Sequence, residues 1–386
     1  MEQQHPTQGG GIQDTRETDS VDAALPHLNQ LPRNTILLGD ARDQLRRLPA
    51  NSVDCVITSP PYFGLRDYQV DGQLGLEADV EGWVRSMRAV CAELARVLKP
   101  KGALWLNVGD GFSADLREGA PHKSLLLGPQ RLVLGLLADG WLVRNQVVWA
   151  KSNPMPTSVS DRLAATYEVV YFLVRTRRYY FDLDAIRVPL RTTAVQTTTD
   201  PERIYPPPGA GPALRPGWAY NGNQGLSRLK ARGMAGHPLG KNPGDVWTLP
   251  TAGFKGAHFA SFPRGLVERP LLATCPERVC SECGEAWQRK LERHGGSDGQ
   301  EGRLLAVGAL QASCRCGAEA VPGVVLDPFV GTGTTALVAE AHGRDWVGIE
   351  LNAGYAGMAE GRLAMQRAKK EPSADVPIVA DEQMAA

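Results

Sequence analysis

Val324-Val325-Leu326-Asp327-Pro328-Phe329-Val330-Gly331-Thr332-Gly333-Thr334-Thr335 reads as a buried strand, a glycine-rich turn and the start of a helix. The helix is expected over Thr334 to Ala341, and the strand after it, Trp346-Val347-Gly348-Ile349, ends in Glu350. Strand, glycine turn, helix, strand and terminal acid is the layout of a nucleoside-cofactor site. Gly331 and Gly333 let the backbone approach a ligand closely, and the helix start offers unpaired amides. Glu350 is placed to accept hydrogen bonds from ribose hydroxyls.

The turn has no Gly-Lys-Ser/Thr, so it is not a phosphate loop, and position 336 is Ala where a dinucleotide fingerprint carries Gly. Asp327 beside a pyrophosphate would set two anions face to face. Beside a cationic amino-acid group the same carboxylate is favourable. That points to S-adenosylmethionine, whose ammonium and sulfonium are positive.

A second short stretch lies far upstream. Val53-Asp54-Cys55-Val56-Ile57 reads as a buried strand that stops at Thr58-Ser59-Pro60-Pro61-Tyr62, because two prolines cannot donate ladder hydrogen bonds. A polar group, a stiff prolyl backbone and a ring at a strand's carboxyl end suit a flat, amine-bearing ligand, whereas alone they read as a rigid turn. Between and beyond these stretches, strands (Thr35 to Leu38, Ala103 to Val108, Trp141 to Trp149, Glu168 to Val174) alternate with helices. Val80, Trp83, Val84, Met87, Cys91, Leu94 and Leu98 form one helical stripe that ends before Pro100. Another helix is expected over Leu125 to Ala138, and one over Phe262 to Ala273 opened by Pro263. The alternation predicts an α/β fold with a doubly wound, mostly parallel sheet.

The 386 residues suffice for a large core, and no apolar run is long enough to span a membrane. The first thirty or so residues are polar and lack an apolar signal core, and seven cysteines without a signal sequence argue for a reducing compartment, so a cytoplasmic location is expected. Lys+Arg and Asp+Glu balance at 42 each, so bulk charge does not argue for a polyanionic partner. Charge distribution does: Arg175 to Lys241 carries eleven Lys/Arg against four acids. That excess is the footprint of a segment facing nucleic acid, or else a solvated loop.

Cys280-Ser281-Glu282-Cys283-Gly284 and Cys314-Arg315-Cys316-Gly317 are two turn-like pairs with a hydrophilic segment between them. Cys280, Cys283, Cys314 and Cys316 suit a tetrahedral structural zinc, with Cys275 as a spare. The second pair has one intervening residue where two are usual.

Asp327-Pro328-Phe329-x-Gly331-x-Gly333-Thr334-Thr335 together with Ser59-Pro60-Pro61-Tyr62 resembles the amino-methylating DNA methyltransferases of restriction–modification type. These act on the exocyclic amine of cytosine or adenine. The Pro-Pro-Tyr motif precedes the cofactor motif, as in their circularly permuted β class, and the resemblance covers roughly residues 34 to 366. It implies a Rossmann-like methyltransferase sheet built from two sequence segments. It also implies Ser59, Pro60, Pro61 and Tyr62 as the catalytic grip. Asp327, Phe329, Gly331, Gly333 and Thr334 would hold the methionine part of the cofactor, Glu350 the ribose and Asp40 the adenine. Phe262, in His258-Phe259-Ala260-Ser261-Phe262-Pro263, would complete the pocket.

The expected layout is a tail (1–33), the catalytic half (34–183), a target-recognition insertion (184–245), a cofactor-pocket segment (246–274), a zinc-ribbon-like insertion (275–320), the cofactor-binding half (321–368) and a second tail (369–386). Double-stranded DNA is the expected partner, a cognate restriction endonuclease a further one. Serine as opposed to Asp or Asn at position 59 leans toward cytosine N4 over adenine N6. A chain that kept the fold but lost catalysis, as a DNA-binding regulator, is the rival of another class.

Overall fold

The computed structural model describes residues 31–189, 239–252, 262–294 and 303–370. Most of the basic stretch, and His258 to Ser261, lie outside them.

Twelve strands occur among these residues: β1 (Thr35–Leu38), β2 (Val53–Thr58), β3 (Leu98–Val108), β4 (Leu142–Lys151), β5 (Tyr167–Val174), β6 (Val246–Leu249), β7 (Val279–Cys280), β8 (Gln288–His294), β9 (Arg303–Gln311), β10 (Ala320–Val321), β11 (Val324–Asp327) and β12 (Asp345–Glu350). The helices are α1 (Ala41–Arg47), α2 (Val80–Val97), α3 (Gly128–Ala138), α4 (Arg264–Thr274), α5 (Thr334–Ala341) and α6 (Ala353–Lys370). Eight strands form one sheet in the order β1-β12-β11-β2-β3-β5-β4-β6. Only β5 runs antiparallel to its neighbours, β3 and β4.

The two sequence halves meet where β11 pairs parallel with β2, Val325 opposite Cys55 and Leu326 opposite Val56. Every residue of β2 and β11 is buried, as central strands covered on both faces are, and the Asp54 carboxylate within β2 is paired with Lys99 Nζ at 2.6 Å. One face packs against α1, α2 and α3 through Leu45, Trp83, Met87, Leu94 and Leu132. The other packs against α4, α5 and α6, with Val267, Leu271, Ala339 and Leu363 buried. The stripe read from α2 is the buried one, with Val90 and Val97 added. Asp79 caps that helix by accepting from Gly82 N, and Leu98 leaves it as the first residue of β3.

Pro263 is the N-cap of α4 in extended conformation, not its first helical residue as the sequence suggests. Two elements carry no clear signal in the sequence. The four residues of β6 are too few to show a period, and they pair with β4 as the outermost strand of the sheet. The β8–β9 hairpin joins a charged strand, β8, to a mostly apolar one, β9, and forms its own two-stranded sheet. Among the described residues no helix is long and apolar enough to cross a membrane.

Candidate active site

Four parallel strands bring their carboxyl ends to one cleft: β1 at Gly39 and Asp40, β12 at Glu350, β11 at Pro328 and Phe329, and β2 at Ser59 and Pro61. This is where open parallel sheets place ligands, beside the point at which strand order reverses. Asp40 caps α1, accepting from Arg42 N and Asp43 N at 2.9 and 3.1 Å. Glu350 braces the glycine turn while facing the cleft: Oε2 accepts from Gly331 N at 2.8 Å and Oε1 from Asn352 N at 2.9 Å. Burial holds its pKa above that of an ordinary carboxylate, with those amides offsetting part of the rise.

Gly331 and Gly333 hold φ of 52° and 80°. A Cβ on Gly333 would lie 2.9 Å from that of Ala359 on α6, so this glycine works behind the wall. Phe329, Gly331, Thr334 and Phe262 stand on the wall itself. A further wall, unmarked in the sequence, comes from Tyr68, Val70, Gly72, Gln73 and Leu74. That loop is closed at its base by Gly64 N donating to Gly75 O at 2.8 Å, and the Tyr68 ring meets Tyr355 edge-on.

Asp327 is not on the lining. It is 1% exposed, and Oδ1 accepts from Thr58 Oγ1 at 2.7 Å and Phe329 N at 3.1 Å, while Oδ2 accepts from Thr335 Oγ1 at 2.6 Å. Burial pushes its pKa up to about 6 despite those three donors. The carboxylate thereby staples β11 to β2 and to the start of α5 beneath the cleft. Its place on the strand between β2 and β12 turns the carboxylate toward the two threonines.

At the end of β2 a hydrogen-bonded group forms around Ser59. Ser59 Oγ lies 2.9 Å from Tyr62 OH, and Tyr62 OH donates to Glu168 Oε2 at 2.8 Å. Asn107 Nδ2 lies 2.8 Å from Tyr62 OH, 2.9 Å from Glu168 Oε2 and 3.2 Å from Ser59 Oγ. Lys151 Nζ pairs with Glu168 Oε1 at 2.7 Å. Burial, then the Glu168 charge, raises Tyr62 well above an ordinary phenol, so it stays a neutral donor.

The directions in this group follow from its chemistry. A carboxylate only accepts, so the single Tyr62 proton goes to Glu168. In the Ser59–Tyr62 bond the serine must therefore donate, which leaves Ser59 Oγ with only lone pairs to offer the cleft. Trp83 Nε1 donates to the Pro61 carbonyl at 2.9 Å, and among the described residues no hydrogen bond reaches the Pro60 carbonyl. Asn107, Lys151 and Glu168 escape sequence reading: they sit on three different strands, and only sheet order assembles them. A polar Asn within the apolar run of β3 and an acid opening β5 are the faint signals available.

The four expected metal ligands converge. The sulfurs of Cys280, Cys283, Cys314 and Cys316 all lie within 4.8 Å of one another. The backbone amides of Cys283 and Glu282 donate toward the Cys280 sulfur, and Gly284 takes φ of 69° to make that turn. Four thiols with convergent amides are a donor set that fits zinc. Cys275 is not among them: it is fully buried in the core beside α4. The knuckle docks on the start of β3, where Lys101 Nζ donates to Glu285 Oε1 at 2.6 Å.

The family model for DNA methylases matches residues 53–361. The type II methyltransferase M.XycI of Xanthomonas campestris pv. cyanopsidis is 32% identical over 354 residues, covering 86% of this chain and 88% of its own length. M.Cfr9I of Citrobacter freundii, also a type II methyltransferase, is 30% identical over 351 residues, covering 85% and 87%. Among solved structures the PvuII DNA methyltransferase, described as cytosine-N4-specific, matches with a TM-score of 0.51 at 16% identity, over 86% of this chain and 87% of that one. At that identity the likeness concerns the fold.

Proposed function

The chain belongs to the N6/N4 DNA methylase family and is an amino-methylating DNA methyltransferase; on that premise we propose that it methylates the N4 amine of cytosine at a specific sequence in double-stranded DNA, with S-adenosylmethionine as donor. When bound, S-adenosylmethionine supplies an electrophilic methyl group on its sulfonium. Glu350 would receive the ribose hydroxyls, Asp40 the adenine end, and Phe329, Gly331 and Thr334 the methionine end. Phe262 would complete the pocket. Asp327 contributes by holding β11 to β2.

The observation that carries the reading is the acceptor-only face of Ser59. A base amine is a poor nucleophile because its lone pair is delocalised into the ring. Ser59 Oγ and the Pro60 carbonyl offer acceptors for its two N–H groups, and drawing on both pulls the nitrogen toward a pyramidal geometry with a localised lone pair. Preorganised acceptors and positioning then do most of the chemistry. A serine offering its own proton would serve a carbonyl instead.

The base must leave the duplex at a cost of about a few kcal/mol, and stacking on Tyr62 returns roughly 1–3 kcal/mol. The ring is set in advance: its hydroxyl is tied to Glu168 and its edge rests on Gly109. Serine at position 59 favours cytosine, and the basic stretch between Asp184 and Asp245 is the part of the chain suited to reading DNA. The four cysteines would hold one structural zinc ion.

Incubating the protein with tritiated S-adenosylmethionine and duplex DNA, then digesting the DNA for mass spectrometry, tests this directly. N4-methylcytosine is expected. N6-methyladenine would move the target base, methyl on RNA alone would move the substrate, and no methyl would leave a DNA-binding regulator.

A further inference from the structure

We infer that Glu168, held by Lys151, is the terminal acceptor for the proton the target amine loses, reached through Ser59 and Tyr62. The inference rests on the methyl-transfer reading of the same site and adds the fate of the proton.

When the amine nitrogen bonds the methyl carbon, the carbon–sulfur bond breaks and the nitrogen becomes a cation with one proton too many. Its nearest acceptor is Ser59 Oγ. The two hydroxyls already point toward Glu168: Ser59 donates to Tyr62 OH at 2.9 Å, and Tyr62 donates to Glu168 Oε2 at 2.8 Å. One concerted shift along this line moves the amine proton to Ser59 Oγ, the serine proton to the Tyr62 oxygen and the tyrosine proton to Glu168 Oε2. Ser59 and Tyr62 end unchanged, the product amine is neutral, and Glu168 is a neutral acid.

The rest of the group matches that duty. Lys151 Nζ, 2.7 Å from Glu168 Oε1, stabilises the carboxylate before the shift. Lys151 also lies over the Trp149 ring, 5.3 Å from its centroid, which holds the ammonium in place. Asn107 Nδ2, near the Tyr62 and Glu168 oxygens together, keeps the two aligned. The Glu168 side chain is 16% exposed, enough to pass the proton on to solvent once product leaves. A carboxylate needed only to pin Tyr62 would be served equally by a neutral amide accepting the same hydrogen bond. The two roles therefore separate in one substitution.

Single-turnover methyl transfer to duplex DNA is measured for the unaltered protein, Glu168→Gln and Glu168→Asp, with cofactor and DNA affinities measured alongside. Glu168→Gln, which keeps an acceptor for Tyr62 but cannot take a proton at neutral pH, is expected to slow transfer by about a hundredfold with both affinities unchanged. Glu168→Asp is expected to recover at least part of that loss. A Glu168→Gln rate within about tenfold of the unaltered protein, or a Glu168→Asp rate no better than the amide's, overturns the relay and leaves the methyltransferase reading intact. Absence of methyl incorporation by the unaltered protein overturns both.

Discussion

Thr58 Oγ1 donates to Asp327 Oδ1 across 2.7 Å, joining residues 269 positions apart in the chain. Thr58 is the last residue of β2, just before Ser59, and Asp327 is the last of β11, just before the glycine turn. The bond locks the strand that presents the proposed catalytic loop to the strand that presents the proposed cofactor turn. Thr335, on the first turn of α5, binds the other oxygen of the same carboxylate at 2.6 Å. The two motifs thus share one buried acid, and a displacement of either reaches the other.

That acid should give the fold a pH signature. The Asp327 carboxyl has its pKa raised from 3.8 to about 6, so the native state holds a proton that the unfolded chain has already lost. A raised carboxyl contributes stability that is present below the unfolded pKa and lost as pH climbs through the folded one. The loss is roughly 3 kcal/mol by neutral pH. Asp327→Asn should flatten the dependence of denaturation midpoint on pH between about pH 4 and pH 7. An unaltered slope in urea titrations of the variant would show that another group sets it.

Ser59→Ala removes the acceptor facing the cleft, and Tyr62→Phe removes the oxygen that receives the Ser59 proton. Each should lower methyl transfer by about a hundredfold or more while leaving S-adenosylmethionine affinity within a small factor. Calorimetric titration of the cofactor beside a tritium-incorporation assay separates the two. Full activity in either variant would contradict the assigned grip.

Gly109 lies directly beyond β3 and against the Tyr62 ring, where an added Cβ would sit 2.8 Å from Cε2. Its φ is not in the left-handed region, so the backbone accepts alanine and the strain falls on the ring. Gly109→Ala should therefore fold with little loss of thermal stability yet transfer methyl slowly, as Tyr62 moves off its bonds to Glu168 and Asn107. Catalysis equal to the unaltered protein would mean the ring's position is not decisive.

Elemental analysis should find about one zinc ion per chain, held by four thiolates. Its removal by a chelator, or Cys283→Ser, should lower thermal stability, because metal affinity is folding free energy for a knuckle with little core of its own. The loss should be concentrated around Val279 to Val321 in hydrogen exchange, with the β2–β11 pairing still protected. Metal-free protein with undiminished protection there would refute the site.

Elements with a local cause were legible in the sequence. β-branched and apolar residues made β2 and β11 recognisable as buried strands, paired prolines ended β2 at Ser59, and glycines at 331 and 333 marked a turn needing positive φ. The order of the two motifs pointed to a sheet closed from distant segments, and paired cysteines pointed to a knuckle. Which side chains those strands bring together follows only from the assembled sheet. Glu168 reaches Tyr62 over 106 positions and Asn107 over 61, through a β3–β5 pairing that no local pattern encodes. The tertiary structure also decided that Asp327 binds Thr58 and Thr335, and that Cys275 belongs to the core. Hydrophobic period and turn chemistry act within a few residues, whereas the direction of a buried polar group is set by the partners the completed sheet leaves within reach.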